Sequence, residues 1–221
     1  MEFSIASRYN GDFDVMNKVV NSIDTFNLKP VNFTGKITTS VVECPHIFWT
    51  KLNQTALANP STMADTISQV AIDLVKTLNG SVDTRSTTTN LGYGQHLFSF
   101  NIIEELDRRL GSWIWKDCLT FADKVAKART IITNTLCNWH GFGSGPNGNK
   151  ATACVWLSSQ SWASGVTHTS GTVTKLAFNI NSPHIQNDGF IHCIAYTDPS
   201  NGTVASSIST DYVELVLTLK L

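Results

Sequence analysis

Side chains able to do chemistry fall into only a few close groupings in this chain. Cys137-Asn-Trp-His140 and His192-Cys193 are the Cys/His pairs, and a zinc site would need a second pair at finger spacing, which neither has. Glu104, Glu105 and Asp107 form the densest acidic group, yet adjacent positions on a helix point apart. Carboxylates at a helix start are also simply stabilised by its dipole. The stretch Gly141-Phe-Gly-Ser-Gly-Pro-Asn-Gly148 is superficially like a glycine-rich phosphate loop. Such a loop follows a strand and opens a helix, whereas this one follows a predicted helix and opens a strand, so it reads as a connector. There is no Gly-x-Ser-x-Gly elbow and no nucleophilic cysteine context. Cys44, Cys118, Cys137, Cys154 and Cys193 are odd in number and widely spaced, which favours buried free thiols. The expectation is therefore no catalytic residue, no cofactor and no metal; nothing argues for an enzyme.

The charge balance points the same way. Only 15% of residues are charged and the net charge is -1, while Ser, Thr and Asn abound. That composition suits a neutral, assembling or membrane-facing surface better than an ordinary cytosolic enzyme. The most basic segment carries Arg108, Arg109, Lys116, Lys124, Lys127 and Arg129 against Asp117 and Asp123. A charge run of this kind on a helix is read first as a solvated face, and second as a contact for nucleic acid or anionic lipid. Sequons at Asn32, Asn53, Asn79 and Asn201 are expected by chance in so Ser/Thr-rich a chain. Met1-Glu2-Phe3-Ser4 lacks the basic start and apolar core of a signal peptide, and no apolar run is long enough to span a bilayer. The protein is expected to be secreted or released without a classical signal peptide.

The elements that must position these residues follow from hydrophobic period. With 221 residues and 42% hydrophobic content, one α+β domain over 31–221 is expected, behind an N-terminal arm at 1–30. Val15, Val19, Val20 and Ile23 hint at a short helix in the arm. Lys36 to Val42 reads as a strand and Ile47 to Ala58 as a short helix. Met63, Ile67, Val70, Ala71, Leu74 and Leu78 form one stripe of a helix running from an N-cap at Ser61 to a stop at Asn79-Gly80. Thr84 to Gly94 reads as a loop, Gln95 to Asn101 as a strand, and Ile102 to Leu110 as a helix broken by Gly111. A further helix is predicted from Trp113 to Leu136, with buried packing favoured for Trp113 and Trp115. Beyond Ala151 all is strand and turn: 153–157, 172–180, 189–196 and a last strand in which Val213, Leu215, Leu217, Leu219 and Leu221 alternate with polar partners.

Taken with Gln69-Val-Ala-Ile-Asp-Leu-Val-Lys-Thr-Leu, Leu97-Phe-Ser-Phe, Ala153-Cys-Val-Trp, Lys175-Leu-Ala-Phe-Asn-Ile-Asn and Gly189-Phe-Ile-His-Cys, this order resembles the Cyt-type pore-forming cytolysins over residues 36 to 221. The resemblance implies a single antiparallel sheet flanked by amphipathic helix pairs. It also implies a non-enzymatic toxin, soluble at first, that meets a lipid membrane, rearranges and forms a homo-oligomer. The helices at 47–58 and 61–78 would detach, and the strands at 172–180 and 211–221 would insert. Membrane-interacting residues would then be Met63, Ile67, Val70, Leu74, Leu78, Leu176, Phe178, Leu215 and Leu217.

Low charge, abundant Thr, Ser and Asn, an N-terminal arm and terminal antiparallel strands equally suit a viral coat or other self-assembling shell protein. Its β domain would be like a jelly roll, it would reside in a virion, and nucleic acid would be its partner. Against that reading stand the missing basic arm and the two long consecutive helices. A carbohydrate-binding β protein is a third reading, with Trp156 and Trp162 as sugar platforms, although core packing suits both indoles better.

Overall fold

The computed structural model describes residues 25–62, 67–181 and 184–221. In chain order the elements are β1 (Phe26–Asn27), β2 (Ile47–Thr50), α1 (Gln69–Val75), β3 (Asp83–Thr87), β4 (Gln95–Asn101), α2 (Ile102–Leu110), α3 (Phe121–Ile131), β5 (Ile132–Gly145), β6 (Gly148–Asn149), β7 (Ala151–Val155), β8 (Val166–His168), β9 (Thr174–Ile180), β10 (Phe190–Tyr196) and β11 (Ser206–Leu219). Short 3-10 turns lie at Pro60–Thr62 and Ser112–Trp115. The mixed α and β content agrees with expectation, but the strands make two antiparallel sheets where the resemblance implied one.

Eight of the strands alternate between those sheets. One sheet runs β3-β11-β5-β9 and the other β4-β10-β7-β8, so successive strands repeatedly cross from layer to layer. This is the strand order of a jelly roll, with α2 and α3 inserted between β4 and β5. The extra strands manage edges. β1, a bridge at Val31, a bridge at Lys76 and then β3 cover one side of β11 in succession, and β2 extends the second sheet beyond β4. Phe26 and Asn27, assigned above to a free arm, are thus already tied to Leu219 and Thr218. Residues 1–24, and with them the predicted helix at Val15 to Ile23, lie outside the described residues.

The core sits between the layers. From the first sheet come Cys137, Trp139, Leu176, Ile208, Val213, Leu215, Leu217 and Leu219, which meet Phe48, Phe98, Phe100, Ile191, Cys193 and Val155 of the second. The period-two reading of the last strand holds up to Leu219, after which Leu221 is exposed. Phe33 is sealed at the centre, with ring centroids of Phe98 and Phe100 at 6.1 and 5.5 Å. Aromatic pairs of this kind add about 0.5–1.5 kcal/mol each beyond area burial. Leu97, Cys154 and Ile194 point out of the second sheet but are buried under Ala58, Leu57 and Trp162. Gln95 holds that cover: its buried amide accepts from Ala58 N at 2.8 Å and donates to Lys51 O at 3.0 Å.

Several expected elements are corrected. Lys36 to Val42 is a pair of turns, not a strand; the sunken Lys36 ammonium donates to Ser40 O at 2.7 Å and Cys44 O at 3.2 Å and curls the chain around itself. Ile47 to Ala58 is not helical. Ile-Phe-Trp-Thr is β-prone, and Phe48 is stacked on Phe98 at 5.1 Å across the β2–β4 pair. The long helix at 61–78 shrinks to Gln69–Val75, capped by Ser68, and Met63 lies outside the described residues. The loop at 84–94 begins as a true strand because its hydroxyls pair across β11, Thr84 with Ser209 at 2.8 Å and Ser86 with Ser207 at 2.6 Å. The helix at 113–136 stops at Ile131. A Thr120–Asp123 capping box starts it at Phe121, and the β-branched run from Thr130 to Thr133 carries it into β5.

The glycine-rich stretch is also not a connector: Gly141 to Gly145 continue β5 and pair with β11 as far as Ser207. A Cβ on Gly141 would fall 2.2 Å from Ser209 O and 2.3 Å from the Trp139 ring, so only glycine lets the strand pass there. Leu217→Ala should destabilise the protein by about 2–5 kcal/mol in urea denaturation, because the cavity lies where no loop can collapse into it. Val70→Ala, on the exposed side of α1, should change stability by less than about 0.5 kcal/mol.

Candidate functional site

The most chemically suggestive group of side chains joins the two sheets. His96 on β4 places Nδ1 2.8 Å from Thr210 Oγ1 on β11 and Nε2 3.2 Å from Asp83 Oδ2 on β3. Trp139 on β5 donates Nε1–H to the same Thr210 oxygen at 2.9 Å, and Arg85 clasps Asp83 through Nε at 2.9 Å and Nη2 at 3.1 Å. The Thr210 oxygen has a second lone pair besides the one that accepts from Trp139, so its contact with Nδ1 fits either imidazole tautomer, and Nε2 meets Asp83 at ion-pair distance without hydrogen-bond geometry. The connectivity is that of a hydroxyl–imidazole–carboxylate relay. Its chemistry is blocked by burial, since Thr210 and His96 are both fully enclosed and no substrate atom can approach the hydroxyl. Burial pushes the His96 pKa down, only partly opposed by Asp83. Asp83 is raised by burial, but His96 and Arg85 outweigh that and leave it below the usual carboxylate range.

A second group lines an open cleft of about 410 Å³ near the start of α2 and includes Cys44, His46, Glu105, Arg108 and Arg109. His46 Nδ1 accepts from Asn101 N–H at 3.2 Å, and Nε2 lies 3.5 Å from Glu105 Oε2. Glu105 Oε1 accepts from Arg109 Nε at 2.5 Å, and that guanidinium also donates to Lys29 O and, at 3.0 Å, to Pro30 O. Both His46 nitrogens are therefore committed away from the Cys44 sulfur, and burial raises the Cys44 pKa, keeping a protonated thiol. Of the acidic group read from sequence, Glu105 is buried in this ion pair and Glu104 is exposed in the first turn of α2.

The other sequence pairs separate on folding. Neighbours on a strand face opposite ways, so Cys193 enters the core while His192 turns outward. Cys137 likewise faces the core, and His140 leans on Tyr212 on the outer face. Among the described residues no three His, Cys, Asp or Glu side chains are grouped to hold a metal. Half of the basic run is engaged internally: Arg109 as above, Arg129 on Ile185 O and Asn187 Oδ1, and Lys124 over the Trp115 ring at 5.7 Å, while Lys116 is exposed.

The residues expected to touch lipid do not share a surface. Ile67, Leu176, Leu215 and Leu217 are buried, Leu74 and Phe178 are half-buried, and Val70 and Leu78 are exposed. Three apolar side chains that the pattern missed project around the start of α3: Leu119 at 94% exposure, Phe121 at 50% and Trp113 at 49%. Trp115 is buried, so the two neighbouring indoles have opposite fates. A local signal was present for Leu119. It precedes the Thr120 cap, where an apolar residue normally packs on the fourth helical position, but that position holds Lys124, so no staple forms. Ile37, Val41, Val42 and Val70 are likewise exposed beside a groove of about 240 Å³ between β2 and Ile67.

No family model matches the chain, and no curated protein matches it.

Acid should weaken this fold through its buried imidazoles. His46 and His96 both have folded pKa values below the 6.5 of a free imidazole, in each case chiefly through burial. Their contribution is complete above pH 6.5 and is lost as the pH falls from there toward the folded values, because the unfolded chain takes up the protons first. Urea midpoints between pH 7.5 and 5 should drop, with a limiting slope of about 1.4 kcal/mol per pH unit for each histidine. His96→Asn should flatten that slope.

Proposed function

We propose that the chain is a subunit of a self-assembling shell, as a viral coat protein is. The observation that carries this reading is the interleaved strand order β3-β11-β5-β9 against β4-β10-β7-β8, combined with large apolar side chains left outside it. The jelly roll is an architecture used by capsid and lectin domains and by cupins. Here the space between the sheets is filled by Phe33, Phe98, Phe100 and Trp139, so the barrel interior has no room for a ligand. The low charge suits subunits that pack side by side, and the Trp113, Leu119 and Phe121 projection supplies apolar area worth about 25 cal/mol per Å² once covered. Many copies multiply a weak contact into a stable closed assembly. Nucleic acid is the content such a coat would enclose, but three of the basic side chains between Arg108 and Arg129 are engaged within the fold.

The pore-forming alternative draws less physical support. Its detaching helix would be only Gln69–Val75, and its inserting strand β11 has neighbours on both sides and an inward face sealed in the core.

Sedimentation velocity and negative-stain microscopy of the purified chain, beside dye release from liposomes, test the proposal. Closed particles far larger than the 24.2 kDa chain are expected, without leakage. Leu119→Asp should leave only small species, with stability unchanged within about 0.5 kcal/mol because the side chain is almost fully exposed. A monomer that never assembles and empties the liposomes would overturn the shell reading.

A further inference from the structure

A separate cleft of about 300 Å³ opens on the outer face of the second sheet, where the turn after β7, the β9–β10 turn and β10 converge under the rim at residues 59–61. Trp156, Gln160, Gln186, Asn187, Asp188 and His192 face it, and among the described residues no Lys or Arg does. Its hydrogen-bonding inventory is unusual for a surface hollow because so much of it is held in place yet unspent. Gln186 donates through Nε2 to Trp156 O at 3.3 Å and His184 O at 3.0 Å, which orients the amide and leaves Oε1 as an acceptor. Asn187 Oδ1 takes a bond from Arg129 Nη2 at 3.1 Å, which leaves its NH2 group as a donor.

His192 shares Nδ1 with Ser99 Oγ at 2.8 Å and sets Nε2 3.7 Å from Asp188 Oδ2. That separation is too long for a direct bond and too short to admit an atom between the two, but a hydroxyl seated to one side, about 2.8 Å from each, can accept from the ring and donate to the carboxylate. Asp188 is itself fixed, since its Oδ1 accepts from Phe190 N at 3.0 Å. The Trp156 ring is packed edge-to-face on Trp162 at 4.9 Å and is buried, so it offers no stacking face; its indole N–H has no partner among the described residues. Gln160, whose backbone sits at φ 60, presents an amide that is equally unpartnered there. A strained non-glycine residue beside a hollow is a recurrent mark of a binding loop.

Interspersed donors and acceptors, one carboxylate and no cation match a ligand that carries several hydroxyls, each able to donate and accept. An anion would be repelled by Asp188, and one carboxylate with one imidazole is too few for a metal. We propose that this cleft binds one neutral hexose unit of a glycan, held by the His192–Asp188 pair, the Gln186 and Gln160 amides and the Trp156 N–H. The site is independent of whether the subunits form a shell.

Ligand-observed saturation-transfer NMR suits either a monomer or a particle. The full chain would be titrated with methyl glycosides of glucose, galactose, mannose, fucose and N-acetylglucosamine, and with methyl phosphate as the anionic probe. Transfer to at least one neutral glycoside is expected, with a Kd of about 1 mM, as befits a ligand of roughly a dozen heavy atoms. Asp188→Asn and Gln160→Ala should each weaken it roughly tenfold, the scale of one lost hydrogen bond to an oriented partner. Lys175→Ala, on β9 away from the cleft, should not. No transfer to any glycoside, affinity undiminished by Asp188→Asn and Gln160→Ala, or preferential transfer to methyl phosphate would each overturn the assignment.

Discussion

The pairing of β5 with β11 is the constraint on which the other elements depend. Both strands are 14 residues long, and their register runs from Ser207 opposite Ser144 to Leu219 opposite Ile132, with a shift between Thr210 and Tyr212. Every other strand of that sheet hangs on one member of the pair: β1 and β3 on β11, β6 and β9 on β5. Because strand side chains alternate, the pairing also delivers Trp139, Val213, Leu215 and Leu217 to one face, and so decides where the second sheet must lie. The shift next to Thr210 has its own consequence. It turns the Asp211 carboxylate toward the α1–β3 connection, where it accepts from Asn79 N at 3.2 Å and Gly80 N at 3.0 Å.

Legibility from sequence tracked how completely one force dominated each segment. α2 announced itself fully, with an Asn101 cap, carboxylates in its first turn, arginines in its last and Gly111 beyond, and β4, β9, β10 and β11 followed from their apolar period. The failures came where tertiary contact overrode local type. β3 is polar because its hydroxyls form a ladder with β11, so composition made it look like a turn. Gly141 of β5 is demanded by Ser209 and Trp139 pressing against the strand and Gly143 by Lys150 and Thr197, and glycine without that knowledge signals a loop. Helical spacing in Ile47 to Ala58 was coincidental in a segment whose true partner, β4, lies some fifty residues away.

For the surface, period names a stripe but not what covers it. The stripe from Ile67 to Leu78 mixes buried Ile67 and Ala71 with half-buried Leu74 and exposed Val70 and Leu78, because α1 spans only two turns and ends before Leu78. The buried relay of Asp83, His96, Thr210 and Trp139 was invisible for a different reason: its members come from four strands, and no spacing rule connects them. The exposed Leu119 was within reach, since a lysine where a staple partner belongs is a local fact. Polar groups at the two clefts differ in the same way. Around Glu105 the charges neutralise one another, whereas around Asp188 the backbone and neighbouring amides orient groups without consuming them.

The place of β11 in the chain bears on how the protein is made. Thr218 bonds Asn27 across 191 residues and Asn32 reaches Tyr212 across 180, so the first described segment is completed only by the last. A sheet whose central strand is the last to be translated cannot close until that strand has left the ribosome. β5 must wait with its apolar face uncovered, and β3 with its edge unpaired, until residues through Leu219 have emerged. While nascent chains crowd one polysome, these open edges are more exposed to one another than the folded chains will be.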